Sequence, residues 1–186
     1  KNKGSKWGQY DFASWCAVWL LYLVEFADWN SQSVIGIGIC GSSSMANTGG
    51  TDSMNYHTGT AASSRTTAGA VQYRNIENPW GNIWEWIDGV NFSDGTVYVC
   101  TTPANYADDT TSGYTNAGTK TQSDGWIKAI GISSTAPWAF FPTEVGGSET
   151  TYIPDYAYCS SGWRVLNVGG DYSKTAGNVG LFYFSA

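Results

Sequence analysis

The sequence is poor in charge, and above all in positive charge. Of its 186 residues, 13% are charged, and nine Lys and Arg stand against fifteen Asp and Glu, which gives a formal net charge of −6. Proteins that bind nucleic acid neutralise phosphates with clustered Lys and Arg. Here only Lys1, Lys3 and Lys6 stand close together, at a terminus that is expected to fray. We therefore predict no nucleic-acid partner.

Residues that bind metals or carry redox chemistry are also scarce. The single histidine is His57, which we interpret as a hydrogen-bonding loop residue. Asp52 and Asn55 offer oxygen atoms to a calcium ion but lack the spacing of an EF-hand. The cysteines are too far apart for a CxxC pair or a zinc site, and we expect buried thiols or one disulfide: Cys16, Cys40, Cys100 and Cys159. We predict no cofactor and no metal, with a loop-bound calcium as the open alternative.

No hydrophobic run is long enough to cross a membrane. The uncharged stretch 12–24 has thirteen residues, whereas a spanning helix needs about twenty. Residues 11–29 instead predict one long helix that Asp11 caps, because apolar residues recur at steps of three and four. The helix is apolar nearly all round, so we expect it to be buried on several sides. We predict no membrane insertion.

Aromatic residues and glycine are abundant. The sequence has ten Trp, twelve Tyr and 23 Gly, and 16% of its residues are aromatic. This composition argues against disorder and is typical of binding surfaces that combine rigid rings with small polar residues. The length predicts a single domain over residues 1–186.

The densest aromatic stretch is residues 78–89, which read Asn-Pro-Trp-Gly-Asn-Ile-Trp-Glu-Trp-Ile-Asp-Gly. If residues 82–87 are extended, Trp84 and Trp86 lie on the same face. We interpret them as the aromatic core of a strand, with an aromatic ligand platform as the alternative.

Other patterns predict the elements around this stretch. Asp94-Gly95 lies between the extended runs 90–92 and 96–100, which predicts a β-hairpin. Residues 34–39 predict a short strand with glycine at alternate positions, and residues 102–125 predict a polar loop.

Residues 82–86, Asn-Ile-Trp-Glu-Trp, resemble the Asn-Val-Trp-Glu-Trp signature of formylglycine-generating-enzyme-like domains, a branch of the C-type lectin fold. The resemblance implies an α+β fold that is rich in loops, with a long buried helix and small antiparallel sheets. In that family the motif belongs to the architecture. We accordingly expect four tryptophans to form a structural core motif: Trp80, Trp84, Trp86 and Trp163.

The C-terminal stretch 162–186 carries a second resemblance. Its order is Trp-Arg-Val, Gly-Gly, a polar connection and Gly-Leu-Phe-Tyr. This order resembles the variable region of diversity-generating-retroelement target proteins from gut phages and their bacterial hosts, and residues 73–78 and 153–156 fit the same group. The flanking runs 163–168 and 180–184 predict strands.

In such proteins, substitution at template adenines scatters Asn codons into other residues. By position, the resemblance implies a changeable, exposed ligand-binding set: Asn167, Asp171, Tyr172, Ser173, Thr175 and Asn178. Lys174 lies outside this set or derives from another codon. An ordinary polar surface loop is the alternative. Members usually continue to a closing strand, so we expect the fold to be truncated after Ala186 or completed by another chain.

These resemblances imply a non-enzymatic display protein on a phage tail or a bacterial cell surface. Its partner would be a protein or glycan on a cell surface, and a homo-oligomer is an open option. The alternative is a structural virion protein that uses its aromatic surface as a subunit interface. A formylglycine-generating enzyme is less favoured, because that chemistry relies on paired C-terminal cysteines and no cysteine follows Cys159.

Overall fold

The fold is described from a computed structural model, which covers residues 8–54, 60–61 and 66–186. Lys1, Lys3, Lys6, Asn55 and His57 lie outside the described residues. Within these residues the two α-helices are α1 (Phe12–Phe26) and α2 (Ser31–Val34). The strands are β1 (Thr60–Ala61), β2 (Val71–Tyr73), β3 (Ile76–Glu77), β4 (Glu85–Ser93), β5 (Thr96–Val99), β6 (Thr115–Thr119), β7 (Gly125–Ile132), β8 (Phe140–Val145), β9 (Tyr156–Tyr158), β10 (Trp163–Val168) and β11 (Phe184–Ser185). The chain is thus α+β, as predicted, and consists mostly of sheet.

The main sheet has eight strands in the order β6-β5-β4-β10-β11-β9-β7-β8. All neighbours are antiparallel except β9 and β11, which run parallel. The two edges approach each other: the Thr121 amide, just after β6, donates to the carbonyl oxygen of Pro142 in β8 at 2.9 Å. The sheet is therefore nearly closed, which protects its edges. The prediction of small antiparallel sheets fits only the separate three-stranded sheet β1-β2-β3.

Helix α1 packs one face against the main sheet. Asp11 caps it as predicted, because its Oδ1 accepts a hydrogen bond from the Ser14 amide at 2.7 Å. The buried face includes Trp15 and Trp19, and the indole of Trp19 donates to the carbonyl oxygen of Leu181 at 2.9 Å. The expectation of burial on several sides is wrong, because Val24 on the opposite face is 83% exposed. Among the described residues, no helix has the length and apolar character needed to span a membrane.

The hairpin prediction is confirmed. Strands β4 and β5 pair with Ser93 opposite Thr96, and Asp94 and Gly95 have φ values of 46° and 85°. Two residues with positive φ form the tight turn that suits the twist of paired strands.

Two other local predictions are wrong. Residues 34–39 are not a strand: α2 ends at Val34, Gly38 has a φ of 73°, and Ile39 forms only an isolated bridge with Gly81. The polar segment 102–125 is not all loop, because it contains β6. The four cysteines are free thiols.

The tryptophan motif is only partly a core element. Asn82 has a φ of 64°, so the chain turns there and β4 begins at Glu85. Residues 82–84 therefore lie outside the strand, and the predicted alternation of faces over residues 82–87 does not apply to Trp84. Trp80 is fully buried, Trp84 and Trp163 are half-buried, and Trp86 is 54% exposed. Trp86 is opposite Asn167, whereas its buried neighbour Ile87 is opposite Leu166. Since paired residues share a face, Trp86 belongs to the outer face and its assignment to the core is corrected.

The motif supplies a matched pair of variants for the stability of the core. Trp80 packs at full burial, and its indole donates to the carbonyl oxygen of Gly36 at 3.0 Å. We expect Trp80→Ala to reduce the free energy of unfolding by about 3–5 kcal/mol. Trp86→Ala should change it by about 0.5 kcal/mol or less. Urea denaturation measures both changes, and equal destabilisation by the two variants would contradict this assignment.

Candidate functional site

A double-glycine turn leads from β10 into residues 171–178, which we call the candidate loop. Gly169 and Gly170 have φ values of 75° and 64°. A Cβ at Gly169 would lie 3.1 Å from the carbonyl oxygen of Pro79, and one at Gly170 would lie 2.8 Å from Cγ2 of Val179. The turn therefore needs glycine at both positions, for backbone conformation and for space.

Main-chain hydrogen bonds fix the path of the candidate loop. The Tyr172 amide donates to the carbonyl oxygen of Asn82 at 3.0 Å. The Ser42 amide donates to the carbonyl oxygen of Tyr172 at 2.9 Å, and the Gly41 amide donates to that of Lys174 at 2.8 Å. Because no loop side chain takes part in these three bonds, they do not depend on which side chains the loop carries.

Asn82 connects the candidate loop to residues 39–46. Its buried carboxamide accepts from the Ala46 amide at 2.8 Å and donates to the Ala46 carbonyl oxygen at 3.1 Å. Its own amide donates to the carbonyl oxygen of Ile39 at 2.9 Å. This role was not predicted. The sequence signal for it is an asparagine directly after Gly81, since asparagine adopts positive φ more readily than most residues.

Five of the six predicted ligand-binding residues come together on the candidate loop. Ser173 and Thr175 are exposed, and Asp171, Tyr172 and Asn178 are half-buried. Asn167 lies apart from them in β10, where it pairs with Trp86 on one side and Ser185 on the other. Its carboxamide oxygen is buried and has no hydrogen-bond partner among the described groups.

Asp171 departs from the expectation of an exposed and changeable side chain. Its Oδ2 accepts from the Trp84 indole at 2.6 Å. Its Oδ1 accepts from the Ser173 amide at 3.0 Å and from the Ser173 hydroxyl at 2.7 Å. Asp171 thus anchors the start of the loop as well as bordering its surface.

A row of contacting rings lies beside the candidate loop, and we call it the aromatic row: Trp84, Tyr183, Tyr158, Tyr156 and Trp126. Successive ring centroids are 5.4, 5.9, 4.6 and 5.1 Å apart. The row joins the loop at both ends, because Trp84 bonds Asp171 and the Trp126 indole donates to the carbonyl oxygen of Gly177 at 3.2 Å. The sequence analysis missed this row. Tyr156 and Tyr158 share parity in a short strand, which is the local signal that could have indicated part of it.

Lys174 extends over this row. Its Nζ lies 5.2 Å from the ring centroid of Trp84 and 5.0 Å from that of Tyr158. Both distances are within the reach of a cation–π interaction. The half-buried lysine is therefore held by two aromatic faces.

A buried carboxyl group supports the segment that carries Tyr183. Asp155 is buried, and its Oδ2 accepts from the Phe182 amide at 2.7 Å. The Ser31 hydroxyl accepts from the Leu181 amide at 2.9 Å. Residues 180–183 form a turn rather than the predicted strand, since the Tyr183 amide donates to the carbonyl oxygen of Gly180 at 3.2 Å. Burial raises the pKa of Asp155 to about 8.

Glu85 is the second carboxyl group whose pKa is raised to near neutral pH by burial. It lies directly after Trp84 and lines a pocket of about 210 Å³ with Glu77 and Asn82. Its Oε2 is buried without a hydrogen-bond partner in the described part of the chain. Burial raises the pKa of Glu85 to about 7. Glu77 is engaged otherwise, since its carboxylate accepts from the amides of Gly49 and Gly50 at 3.0 Å.

Within residues 8–54, 60–61 and 66–186, no three His, Cys, Asp or Glu side chains converge on a point where a metal ion could bind. Asp52 belongs to no such group, and its suggested companion Asn55 is outside the described residues. Comparison of the chain with protein-family models, with curated proteins and with solved structures gave no match.

The two buried carboxyl groups predict a pH dependence of stability. Their pKa values in the folded chain, about 8 for Asp155 and about 7 for Glu85, exceed the values of roughly 3.9 and 4.3 in an unfolded chain. The folded state therefore binds more protons, and this contribution to stability is complete below about pH 4 and is lost as the pH rises through 8. We expect the free energy of unfolding to fall between pH 5 and 8.

Urea denaturation across this pH range measures the effect. Each carboxyl group contributes a slope of up to about 1.4 kcal/mol per pH unit. Asp155→Asn and Glu85→Gln should each reduce the slope, because each removes one titrating group. Stability that rises between pH 5 and 8, or a slope that both variants leave unchanged, would contradict the assignment.

Proposed function

We propose that this chain is a non-enzymatic binding protein that presents the candidate loop and Asn167 as a changeable ligand-binding surface. The observation that carries the proposal is the set of main-chain hydrogen bonds between the loop and Gly41, Ser42 and Asn82. A surface that must accept many side chains needs a path that does not depend on them, and these bonds provide one.

The chemistry of the loop supports the same function. Ser173 and Thr175 are exposed hydroxyl groups, and Tyr172 and Asn178 are partly accessible. Tyrosine supplies rigid contact area at a low cost in conformational entropy, while small polar residues supply adaptable hydrogen bonds. Tyr172 is expected to be the most costly of these side chains to lose, because aromatic residues dominate binding surfaces.

The finer identity of the protein rests on the two resemblances. Residues 82–86 favour a C-type lectin-like fold of the formylglycine-generating-enzyme type, and residues 162–186 favour a variable protein diversified by a retroelement. This identity implies a place on a phage tail or a bacterial cell surface, with a protein or glycan of a cell as ligand. Formylglycine-type catalysis is not proposed, because it relies on paired C-terminal cysteines and Cys159 is the last cysteine of the sequence.

The DNA around the coding region tests this identity. We expect a second copy of the region that encodes residues 162–186, different from it at adenines, beside a reverse-transcriptase gene. A complete source genome without such a repeat would contradict diversification, although the chain could still bind a ligand through a fixed surface.

A second candidate function is a structural virion protein, and an exposed apolar groove favours it. The groove has a volume of about 470 Å³ and is lined by Trp29, Ile130, Ile132, Tyr152 and others. Ile132 is 67% exposed and Tyr152 is 61% exposed. Exposed apolar patches often mark protein interfaces. An oligomer that Ile132→Glu disperses in analytical ultracentrifugation would favour this function, and a monomer at high micromolar concentration would count against it.

Replacement of the loop side chains tests the binding function. We expect the joint variant with Ala at Tyr172, Ser173, Thr175 and Asn178 to keep its melting temperature within a few degrees, because surface substitutions each change stability by about 0.5 kcal/mol or less. Asp171→Ala is the matched control from the same loop. It should reduce the free energy of unfolding by about 1–3 kcal/mol, because it leaves the Trp84 indole without its partner.

Binding is then compared for the wild type and the joint variant on arrays of glycans and on bacterial cells. The proposal predicts that the joint variant, although folded, loses the ligands of the wild type. An unfolded joint variant, or a folded one that binds the same ligands equally well, would contradict the proposal.

A further inference from the structure

The interaction of Lys174 with the aromatic row indicates what kind of ligand the surface can take. We propose that Trp84, Tyr158 and Tyr183 form an aromatic cation site for a ligand with a substituted ammonium group, and that Lys174 occupies this site as an intramolecular plug. This inference rests on the proposed function, because the site borders the candidate loop, and it adds the ligand class.

Ring geometry gives the site its affinity for cations. The Lys174 ammonium lies 5.2 Å from the centroid of Trp84 and 5.0 Å from that of Tyr158. The ring of Tyr183 contacts both, at centroid distances of 5.4 Å from Trp84 and 5.9 Å from Tyr158. Aromatic faces attract ammonium groups through the ring quadrupole, and paired faces around one cation are a known means of binding alkylated ammonium. Tyr183 supports the two faces from behind through its ring contacts.

Trp84 is oriented before any ligand arrives. Its indole N–H donates to Oδ2 of Asp171 at 2.6 Å, and its ring packs at 62° to that of Tyr183. Two contacts in different directions hold the ring in place, so little entropy is lost when a cation binds. The carboxylate that orients the ring also brings a negative charge to the site.

The hydroxyl group of Tyr183 is a second polar group close to the two rings. Tyr183 is fully buried, and its hydroxyl has no hydrogen-bond partner among the described residues. Burial raises the pKa of this hydroxyl, and the neighbouring ionisable groups of Tyr158 and Asp171 raise it further. Buried polar groups are nearly always hydrogen-bonded, so this oxygen is a free acceptor on the ring that joins Trp84 to Tyr158.

Lys174 is placed at the site by its backbone. Its carbonyl oxygen accepts from the Gly41 amide at 2.8 Å, and its amide donates to the carbonyl oxygen of Asp171 at 3.2 Å. Because these bonds hold the main chain whatever the side chain, residue 174 determines whether the rings are covered. A lysine covers them with its own cation, and a small residue leaves them open to a cation from outside.

The test measures binding of tetramethylammonium to the intact chain by isothermal titration calorimetry. We expect Lys174→Ala to bind it at least about tenfold more tightly than the wild type, since a desolvated cation–π contact is worth about one decade in affinity. The matched control is Lys128→Ala, which removes a lysine that pairs with Glu144 and should bind as the wild type does. Adding Trp84→Leu or Tyr158→Leu to Lys174→Ala should abolish the gain, and melting curves establish that each variant is folded.

Two further ligands separate charge from shape and identify the source of the cation. The neutral isostere 3,3-dimethyl-1-butanol should bind Lys174→Ala at least about tenfold more weakly than choline does. Phosphocholine represents a lipid or glycan headgroup, and Nα-acetyl-trimethyllysine methylamide represents a protein side chain. Binding of either supports the proposal, and the tighter of the two identifies the source.

Three results would overturn the proposal. They are a folded Lys174→Ala that binds no ammonium ligand, equal binding by the wild type and Lys174→Ala, and equal binding of choline and its neutral isostere. Each of these results would leave the proposed binding function intact, because that function is tested by the Tyr172, Ser173, Thr175 and Asn178 replacements, which keep Lys174 and the three rings of the site.

Discussion

The structure around the candidate loop depends on one short network of main-chain hydrogen bonds. Asn82 stands at its centre, because its carbonyl oxygen receives the Tyr172 amide while its side chain bonds both main-chain groups of Ala46. Gly41 and Ser42 complete the network on the other side of the loop. Three separate parts of the sequence meet here: residues 39–46, Asn82 and residues 172–174. The positive φ values of Asn82, Gly169 and Gly170 turn the chain so that they can meet.

Burial of polar groups at the candidate site costs free energy of folding, which the stable sheet must offset. Burial raises the pKa values of the Asp155 and Glu85 carboxyl groups to near neutral pH. The buried hydroxyl of Tyr183 has no hydrogen-bond partner in the described part of the chain. Buried polar groups without full pairing destabilise a fold. The apolar side chains that are buried between α1 and the nearly closed sheet offset this cost. Trp15, Trp19 and Phe182 are fully buried there.

Local signals predicted those parts of the fold that local interactions determine. The Asp94-Gly95 turn fixed a hairpin, and Asp11 marked the start of α1, because turn and cap geometry depend on adjacent residues. The same reasoning failed for Trp86, since alternation puts neighbouring side chains on opposite faces but does not say which face is buried. Ile87 occupies the buried face and Trp86 the outer one. It failed for β6 because Gly and Thr in a polar stretch carry no hydrophobic alternation, and the strand exists through its pairing with β5.

Only part of the candidate site could be predicted from the sequence, for a similar reason. Residues 171–178 stand together in the sequence, so their grouping as a polar connection needed no tertiary information. The aromatic row joins residues that are far apart in the chain, from Trp84 through Trp126 and Tyr158 to Tyr183. Only the strand order β11-β9-β7 brings them together, and that order depends on tertiary packing. The codon argument left Lys174 outside the predicted ligand-binding set. Its proposed role is inferred from its distance to these rings.

The central claim is that main-chain bonds, rather than the side chains of Tyr172, Ser173, Thr175 and Asn178, hold the candidate loop. Amide hydrogen exchange by NMR tests it most directly, because the amides of Gly41, Ser42 and Tyr172 are the three donors. The account predicts that these amides keep the protection of the wild type when Tyr172, Ser173, Thr175 and Asn178 are all replaced by Ala. Loss of protection at these three amides in a variant whose β4 and β10 amides remain protected would show that the side chains hold the loop, and would contradict the account.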